Sequence, residues 1–481
     1  MLQPNRVFCA RARQANYDGC EGVAAPELPS GRADTSALTT LRQLLHSAKL
    51  DSQNFGTPHW NPLGDIIKPR TRVLIKPNWV THHNLSGAGM DCLITHSGVI
   101  EAIVIYALKA RPAAIVIGDA PIQGCDFAAL LDHSQLNEIL ARLDTGDTKL
   151  SVADFRCSIL PGGRLESGAV KTSRTADQYV LFDLAEHSDL EPISDEAAQF
   201  RVTKYDPDAL ARTHRRGRHQ YLIAREAIEA DVVINVPKLK THKKAGVTGA
   251  LKNMVGINGH KEYLPHHRKG GSTRGGDCYP GGSRLKSLAE HAMDAANRTS
   301  RARLKQVLPK VSWLALTLGT FGGEDMNLEG SWHGNDTVWR MCLDLQRVLH
   351  YGRLDGGFGE QPQRTVLTIT DAIISGEGNG PLAPTPVPLG LMTLGLNTAA
   401  IEWVHALLMG FDPERIPVVR EAFAPHRYAL ADFGPSEIVI EADGSELSAP
   451  DFTVNYSRRF RPPDGWQGHC EANPPMSGRA G

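Results

Sequence analysis

Short, continuous apolar runs recur along this chain, each breaking off at once into charged, polar or glycine residues. They lie at 73–75, 114–117, 232–236, 313–316, 366–369 and 391–394. Unbroken runs rich in β-branched residues suit strands covered on both faces, as in parallel sheets. Helical patterns fall between them: 98–110 after a candidate cap at Thr95 or Ser97, 285–298, and 398–409, which Gly410 stops. Strand, loop and helix in alternation imply an α/β fold with a doubly wound, mostly parallel sheet core. At 481 residues, two lobes with an inserted irregular region are expected. The expected division is a first α/β lobe over 1–155 and an insertion or cap over 156–220, with a short strand near 179–182. A second lobe completing the site would cover 221–440, and a terminal strand and loose tail 441–481. The stretch 256–284 reads as a long polar, glycine-rich loop of the kind that carries function.

Composition narrows the function classes. The formal charge is −1, which argues against nucleic acid or a polybasic membrane contact as partners. No run reaches the roughly 18 apolar residues of a membrane span, and the N-terminus has no secretion-signal pattern, so a cytoplasmic protein is expected. Its eight cysteines include no Cys-x-x-Cys pair. Reduced thiols and no intrinsic iron–sulfur cassette follow, and a colourless purified protein is expected.

In open α/β sheets, ligands bind outside the carboxyl ends of strands. Here several such ends carry chemistry. The run 73–75 leads into Lys76-Pro77-Asn78, 114–117 into Gly118-Asp119, and 232–236 into Pro237-Lys238-Leu239-Lys240-Thr241-His242. The run 366–369 leads to Asp371 and the glycines Gly376, Gly378 and Gly380. Lys238 and Lys240 follow a buried strand and alternate to one side, where two cations are eased by an anion between them. Lys243 and Lys244 read as solvated. Gly246 to Gly256 could bring backbone amides to an anion before a helix starting near Thr248. The three glycines after Asp371 could cradle a phosphate. Neither stretch has P-loop or dinucleotide spacing. His260, His266 and His267 lie among cations that disfavour a divalent ion and read instead as anion contacts or solvent-exposed, and Cys278 has no base placed beside it. Asp119 and Asp371 are candidate orienting groups or helix caps.

These segments, taken in order with Thr95-His96 and with Gly249-Ala250-Leu251-Lys252-Asn253-Met254-Val255-Gly256, resemble the family named domain of unknown function 362. The resemblance covers about residues 70–440. It implies association with iron–sulfur chemistry, since many relatives carry a ferredoxin module, although the cysteine spacing here offers none. Relatives commonly have two aspartates where this chain has Asn397 and Glu402. The resulting expectation is an enzyme acting on an anionic small molecule, carboxylate or phosphate. Lys76, Asn78, Lys238, Lys240, Lys252, Asn253, Gly376, Gly378 and Gly380 would bind the ligand. His242, His96, Asp119 and Asp371 would do acid–base or orienting work, with a divalent metal compatible with the aspartates. The alternative is a non-catalytic binder of an anionic cofactor, or a redox accessory protein meeting a pathway partner.

Overall fold

The computed structural model describes residues 2–17, 25–28, 35–195 and 199–472. Its architecture is α/β, built on one 12-stranded sheet. In chain order the strands are β1 (Arg6–Arg11), β2 (Arg72–Pro77), β3 (Ala114–Asp119), β4 (Lys149–Asp154), β5 (Val232–Val236) and β6 (Lys238–His242). They continue with β7 (Gly246–Thr248), β8 (Thr365–Asn379), β9 (Ala383–Val387), β10 (Leu391–Gly395), β11 (Val439–Ala442) and β12 (Ser445–Leu447). The sheet runs β12-β11-β1-β10-β8-β5-β2-β3-β4, with β6 paired to β7 and β8, and β9 to β8. Its centre, β8-β5-β2-β3-β4, is wholly parallel. Strands from residues below 155 and above 221 pair directly at β2 and β5.

Alternation along each central strand feeds two cores. Val73, Ile75, Ile115, Ile117, Val232 and Ile234 pack with helices α1 (Ser36–Ser47) and α2 (Ser97–Lys109). Leu74, Val233 and Val366 point the other way, toward the short helix α3 (Ala250–Asn253), α6 (Val338–Tyr351) and α7 (Thr398–Leu408). Two further helices, α4 (Arg284–Arg298) and α5 (Ala302–Phe321), form a hairpin away from the sheet.

Several expectations are corrected. The apolar run 313–316 is part of α5, not a strand. Only Ala315 of those four is buried, together with Ser312 and Gly319, so a small-residue stripe meets Ala289, Ala292 and Ala296 on α4 and the large side chains face outward. The segment 376–379 is strand rather than loop, because β8 continues unbroken past Asp371 and pairs with β9. The tail after Arg458 is not loose through the described residues. Phe460, Trp466 and Cys470 are buried, and the Trp466 indole donates to the Lys243 carbonyl at 2.7 Å. The rest of the expected tail, 473–481, lies outside the described residues. Cys20 does too, and the other seven cysteines are free. Among the described residues, no helix is long and apolar enough to cross a membrane.

Candidate functional site

Adjacent parallel strands bring their carboxyl ends together, and a cavity of about 510 Å³ opens there. Lys76 at the end of β2 reaches Asp119 at the end of β3, Nζ to Oδ1 at 2.9 Å, with both side chains almost fully buried. Asp119 also accepts from the Trp79 amide at 2.6 Å and the Ala120 amide at 2.8 Å. Burial pushes the Lys76 amine down and the Asp119 carboxyl up, and their mutual attraction opposes both shifts. Three donors around one carboxylate favour the ionised pair.

Gly256 explains why the pair fits. A Cβ there would fall 1.7 Å from Asp119 Oδ1 and 2.8 Å from Lys76 Nζ. Behind the pair, Asn253 Oδ1 accepts from Lys76 Nζ and Asn78 Nδ2, each at 3.0 Å, while Asn253 Nδ2 donates to Asn235. Buried amides with every bond made hold such a site rigid.

Lys76, Asn78, Asp119, His242, Lys252, Asn253 and Gly380 all line this cavity. Lys244, Lys261 and His266 line it as well, although the sequence placed them in solvent or in a loop of undirected cations. Lys244 pairs with Glu329 at 3.8 Å. Burial lowers Lys261 to about 8. Apolar walls come from Trp79, Val80, Ile122, Leu160, Val202 and Leu382.

The two histidines are held in opposite senses. His242 Nδ1 accepts from the amides of Lys244 at 3.0 Å and Ala245 at 3.2 Å. Burial keeps its ring neutral, so the proton sits on Nε2. His266 Nδ1 lies 2.7 Å from the Leu264 carbonyl, to which it must donate, and that leaves Nε2 as the acceptor. Both lining the cavity, they offer one donor and one base.

The remaining expected site residues lie elsewhere. Lys240 is sealed behind the wall, donating to Asn78 Oδ1 at 2.7 Å and to the Leu93 carbonyl, and burial drives its amine well down. Its neutral partners replace the expected anion. Lys238 and Asp371 form a second buried cluster, Nζ to Oδ2 at 2.6 Å, joined by Tyr17, whose hydroxyl donates to Asp371 Oδ1 at 2.6 Å. His96 stacks on Tyr17 with centroids 3.8 Å apart, and its Nδ1 caps α2 by accepting from the Gly98 amide. Lys238 and Lys240 therefore part company, because a carboxylate across the β6–β8 pairing takes the first, and the Asn78 amide with the Leu93 carbonyl takes the second.

The glycine-rich segments are also occupied by the chain itself. At Gly376 a Cβ would strike the Cys92 carbonyl and Lys240, and at Gly378 it would strike Arg461. Those glycines admit other segments of the chain at close range instead of cradling phosphate. The amides at the start of α3 receive Glu402: Leu251 donates to its Oε2 at 3.2 Å, and a Cβ on Gly249 would meet that oxygen at 2.3 Å. An internal carboxylate fills the expected anion nest, with His405 at 3.3 Å beside it.

Among the described residues, one group of His, Cys, Asp and Glu is close enough to share a metal, namely His267, Cys278 and Glu290. With a single cysteine it does not fit an iron–sulfur cluster.

In comparisons with known proteins, the thylakoid-associated protein of Synechocystis sp. (strain ATCC 27184 / PCC 6803 / Kazusa) is 23% identical over 357 residues, covering 74% of this chain and 68% of that protein. The model of a domain of unknown function, DUF362, matches residues 165–406, which take in β5 to β8, Lys252, Asn253 and both cavity histidines. That match spans half of the chain, and the protein belongs to the DUF362 family.

Proposed function

We propose that this chain is an enzyme acting on a small molecule that carries a carboxylate or phosphate and an apolar portion. The observation supporting this most is an imbalance of charge in the cavity. Its two lining carboxylates, Asp119 and Glu329, are already taken by Lys76 and Lys244. Lys252 is 8% exposed and makes no ion pair among the described residues, and Lys261 lies near it. A bound anion supplies the missing counter-charge without rearranging the wall. His242 Nε2–H would donate to an oxygen gaining charge, and His266 Nε2 would take a proton, its ring held by the Leu264 carbonyl. That division of labour suits proton abstraction beside the anionic group.

Thermal melts with inorganic phosphate, acetate and benzoate test this. Wild type should be stabilised by at least one of the three. Lys252→Met should lose most of that shift, an affinity loss on the order of tenfold to a hundredfold for one charge-assisted hydrogen bond. Lys240→Met should keep it, because Lys240 is sealed from the cavity. Equal shifts in wild type and Lys252→Met would overturn the reading.

A further inference from the structure

The geometry points to a zinc-type metal site outside the cavity, built from His267, Cys278 and Glu290. One ring nitrogen, the sulfur and one carboxylate oxygen lie within 4.8 Å of one another. The residues are 4%, 1% and 5% exposed. Tetrahedral zinc with bonds of about 2.0–2.3 Å needs its ligand atoms about 3.3–3.8 Å apart, which small side-chain rotations reach.

Two further observations favour an ion. His267 Nδ1 is buried with no hydrogen-bond partner among the described residues, a costly state that a metal or its water relieves. Of the cations around these residues, Arg268, Lys269 and Lys244 are each already paired, while Lys261 lines the cavity instead. Arg268 lies 3.7 Å from Asp277 and 3.5 Å from Asp336, Lys269 lies 3.2 Å from Asp294, and Lys244 lies 3.8 Å from Glu329. A thiolate and a carboxylate then balance a dication, and the mixed N, S, O donor set suits zinc over magnesium or calcium.

The backbone holds the ligands in place. Both Glu290 oxygens accept from the Gly270 amide at 3.0 Å, and Cys278 sulfur accepts from the Glu329 amide at 3.2 Å. The ion would pin the segment between His267 and Cys278 to α4, and Glu329 carries that anchor to the cavity wall.

The test uses full-length protein stripped with a chelator and titrated with cobalt(II) or zinc. Wild type should bind one ion per chain by elemental analysis and show a sulfur-to-cobalt charge-transfer band with intense tetrahedral d–d bands. Cys278→Ser should abolish the charge-transfer band, and His267→Gln should weaken binding by about a hundredfold or more while circular dichroism reports folding. Folded wild type that binds no cobalt, or that gives an unchanged band in Cys278→Ser, overturns the site. Since the readout is metal content and spectrum, it stands apart from anion binding in the cavity.

A second inference rests on α5 alone. Leu304, Val307, Val311, Leu314, Leu318 and Phe321 recur at alternating spacings of three and four, and all are exposed, from 38% to 85%. With Trp313, 61% exposed, on its flank, this is the three-four spacing of a two-helix coiled-coil seam. We infer that it pairs with the same helix of a second copy, antiparallel. A two-fold axis between Val311 and Leu314 sets Leu304 against Phe321 and Val307 against Leu318, so the seam complements itself. Charge selects the direction: Arg301, Arg303, Lys305 and Lys310 crowd the first half, while Glu324, held among the described residues only by the Ser283 hydroxyl at 2.7 Å, follows the helix beside Asp325, which Lys286 takes at 2.9 Å. Antiparallel pairing brings Arg301 to Glu324 of the second copy, whereas parallel pairing would stack cation on cation.

One helix pair is a small interface, so weak dimerisation is expected. Sedimentation over about 1–300 µM should show a reversible dimer that Leu314→Glu, still folded by circular dichroism, lacks. A monomer throughout, a dimer persisting in Leu314→Glu, or a monomer that instead floats with anionic vesicles overturns it.

Discussion

Two cavity lysines of similar burial differ in what their loss would expose. Lys76 has Asp119 at 2.9 Å, and Lys252 has no carboxylate partner among the described residues. Lys76→Met should therefore cost about 3–5 kcal/mol in urea denaturation, because a buried carboxylate is left unpaired. Lys252→Met should leave stability unchanged or raised, since a methionine retains the stem's packing and removes a lone buried charge. Equal losses in the two variants would mean that the cavity charges are not organised as described. The histidines make a spectroscopic prediction of the same grain. Nitrogen NMR of histidine-labelled protein at neutral pH should find His242 protonated at Nε2 and His266 at Nδ1, because amides face one Nδ1 and a carbonyl the other. The reverse assignment for His266 would remove it as the base. The sequence could offer His242 because it ends a strand directly. It offered His266 only as one of three histidines in a cationic loop, because the ring's direction depends on the Leu264 carbonyl two residues away in an irregular segment.

At the scale of elements, the strand ends were legible because unbroken apolar runs have few readings other than a covered strand. The run 313–316 breaks that logic: a helix can stack large apolar residues in sequence when its buried face needs only Ser312, Ala315 and Gly319. The three-four spacing from Leu304 to Phe321 was the signal that a four-residue window misses. Glycines were misread for a related reason. Composition cannot distinguish a glycine that admits a ligand from one that admits another part of the chain, and Gly376, Gly378 and Gly249 are of the second kind. Gly256 belongs to both, since it gives the Lys76–Asp119 pair its room while lining the cavity. Gly256→Ala should destabilise by about 1–3 kcal/mol or more, as overpacking a filled interior does, and should weaken phosphate-induced stabilisation together with it. An alanine variant with unchanged melting and unchanged anion response would place the ion pair elsewhere.

For the whole molecule, the sheet decides which distant segments meet. Tyr17 reaches Asp371 because β1 lies one strand, β10, away from β8, and no local pattern in the first twenty residues announces that. The same packing buries histidines that have no ligand role, and these tie global stability to pH. His214 is fully buried; its Nε2–H donates to the Tyr263 carbonyl, its Nδ1 faces His219 Nδ1 at 3.4 Å, and the Tyr221 and Phe200 rings close the space. Glu191, the nearest carboxylate in this group, bonds His219 at 3.1 Å. Burial and the neighbouring His219 push His214 down to about 3. An unfolded chain takes up the proton near pH 6.5, so this histidine's contribution is fully present above about 6.5 and is lost as pH falls toward about 3. The slope is about 1.4 kcal/mol per pH unit. Asp344 acts in the opposite sense. Burial and the nearby Asp189 raise its carboxyl to about 7, so the fold holds a proton that the unfolded chain releases, and stability from this group is lost as pH rises through about 7. The two nearly cancel between about pH 6 and 4.5, which is why the wild-type profile alone cannot isolate His214. His214→Gln keeps a donor for the Tyr263 carbonyl and cannot titrate. Its urea-derived stability, plotted against pH from 7 to 4.5, should therefore fall less steeply than wild type by about 1.4 kcal/mol per unit below pH 6. Parallel profiles for the two proteins would show that His214 is protonated in the folded state and that the interior around it is open to water.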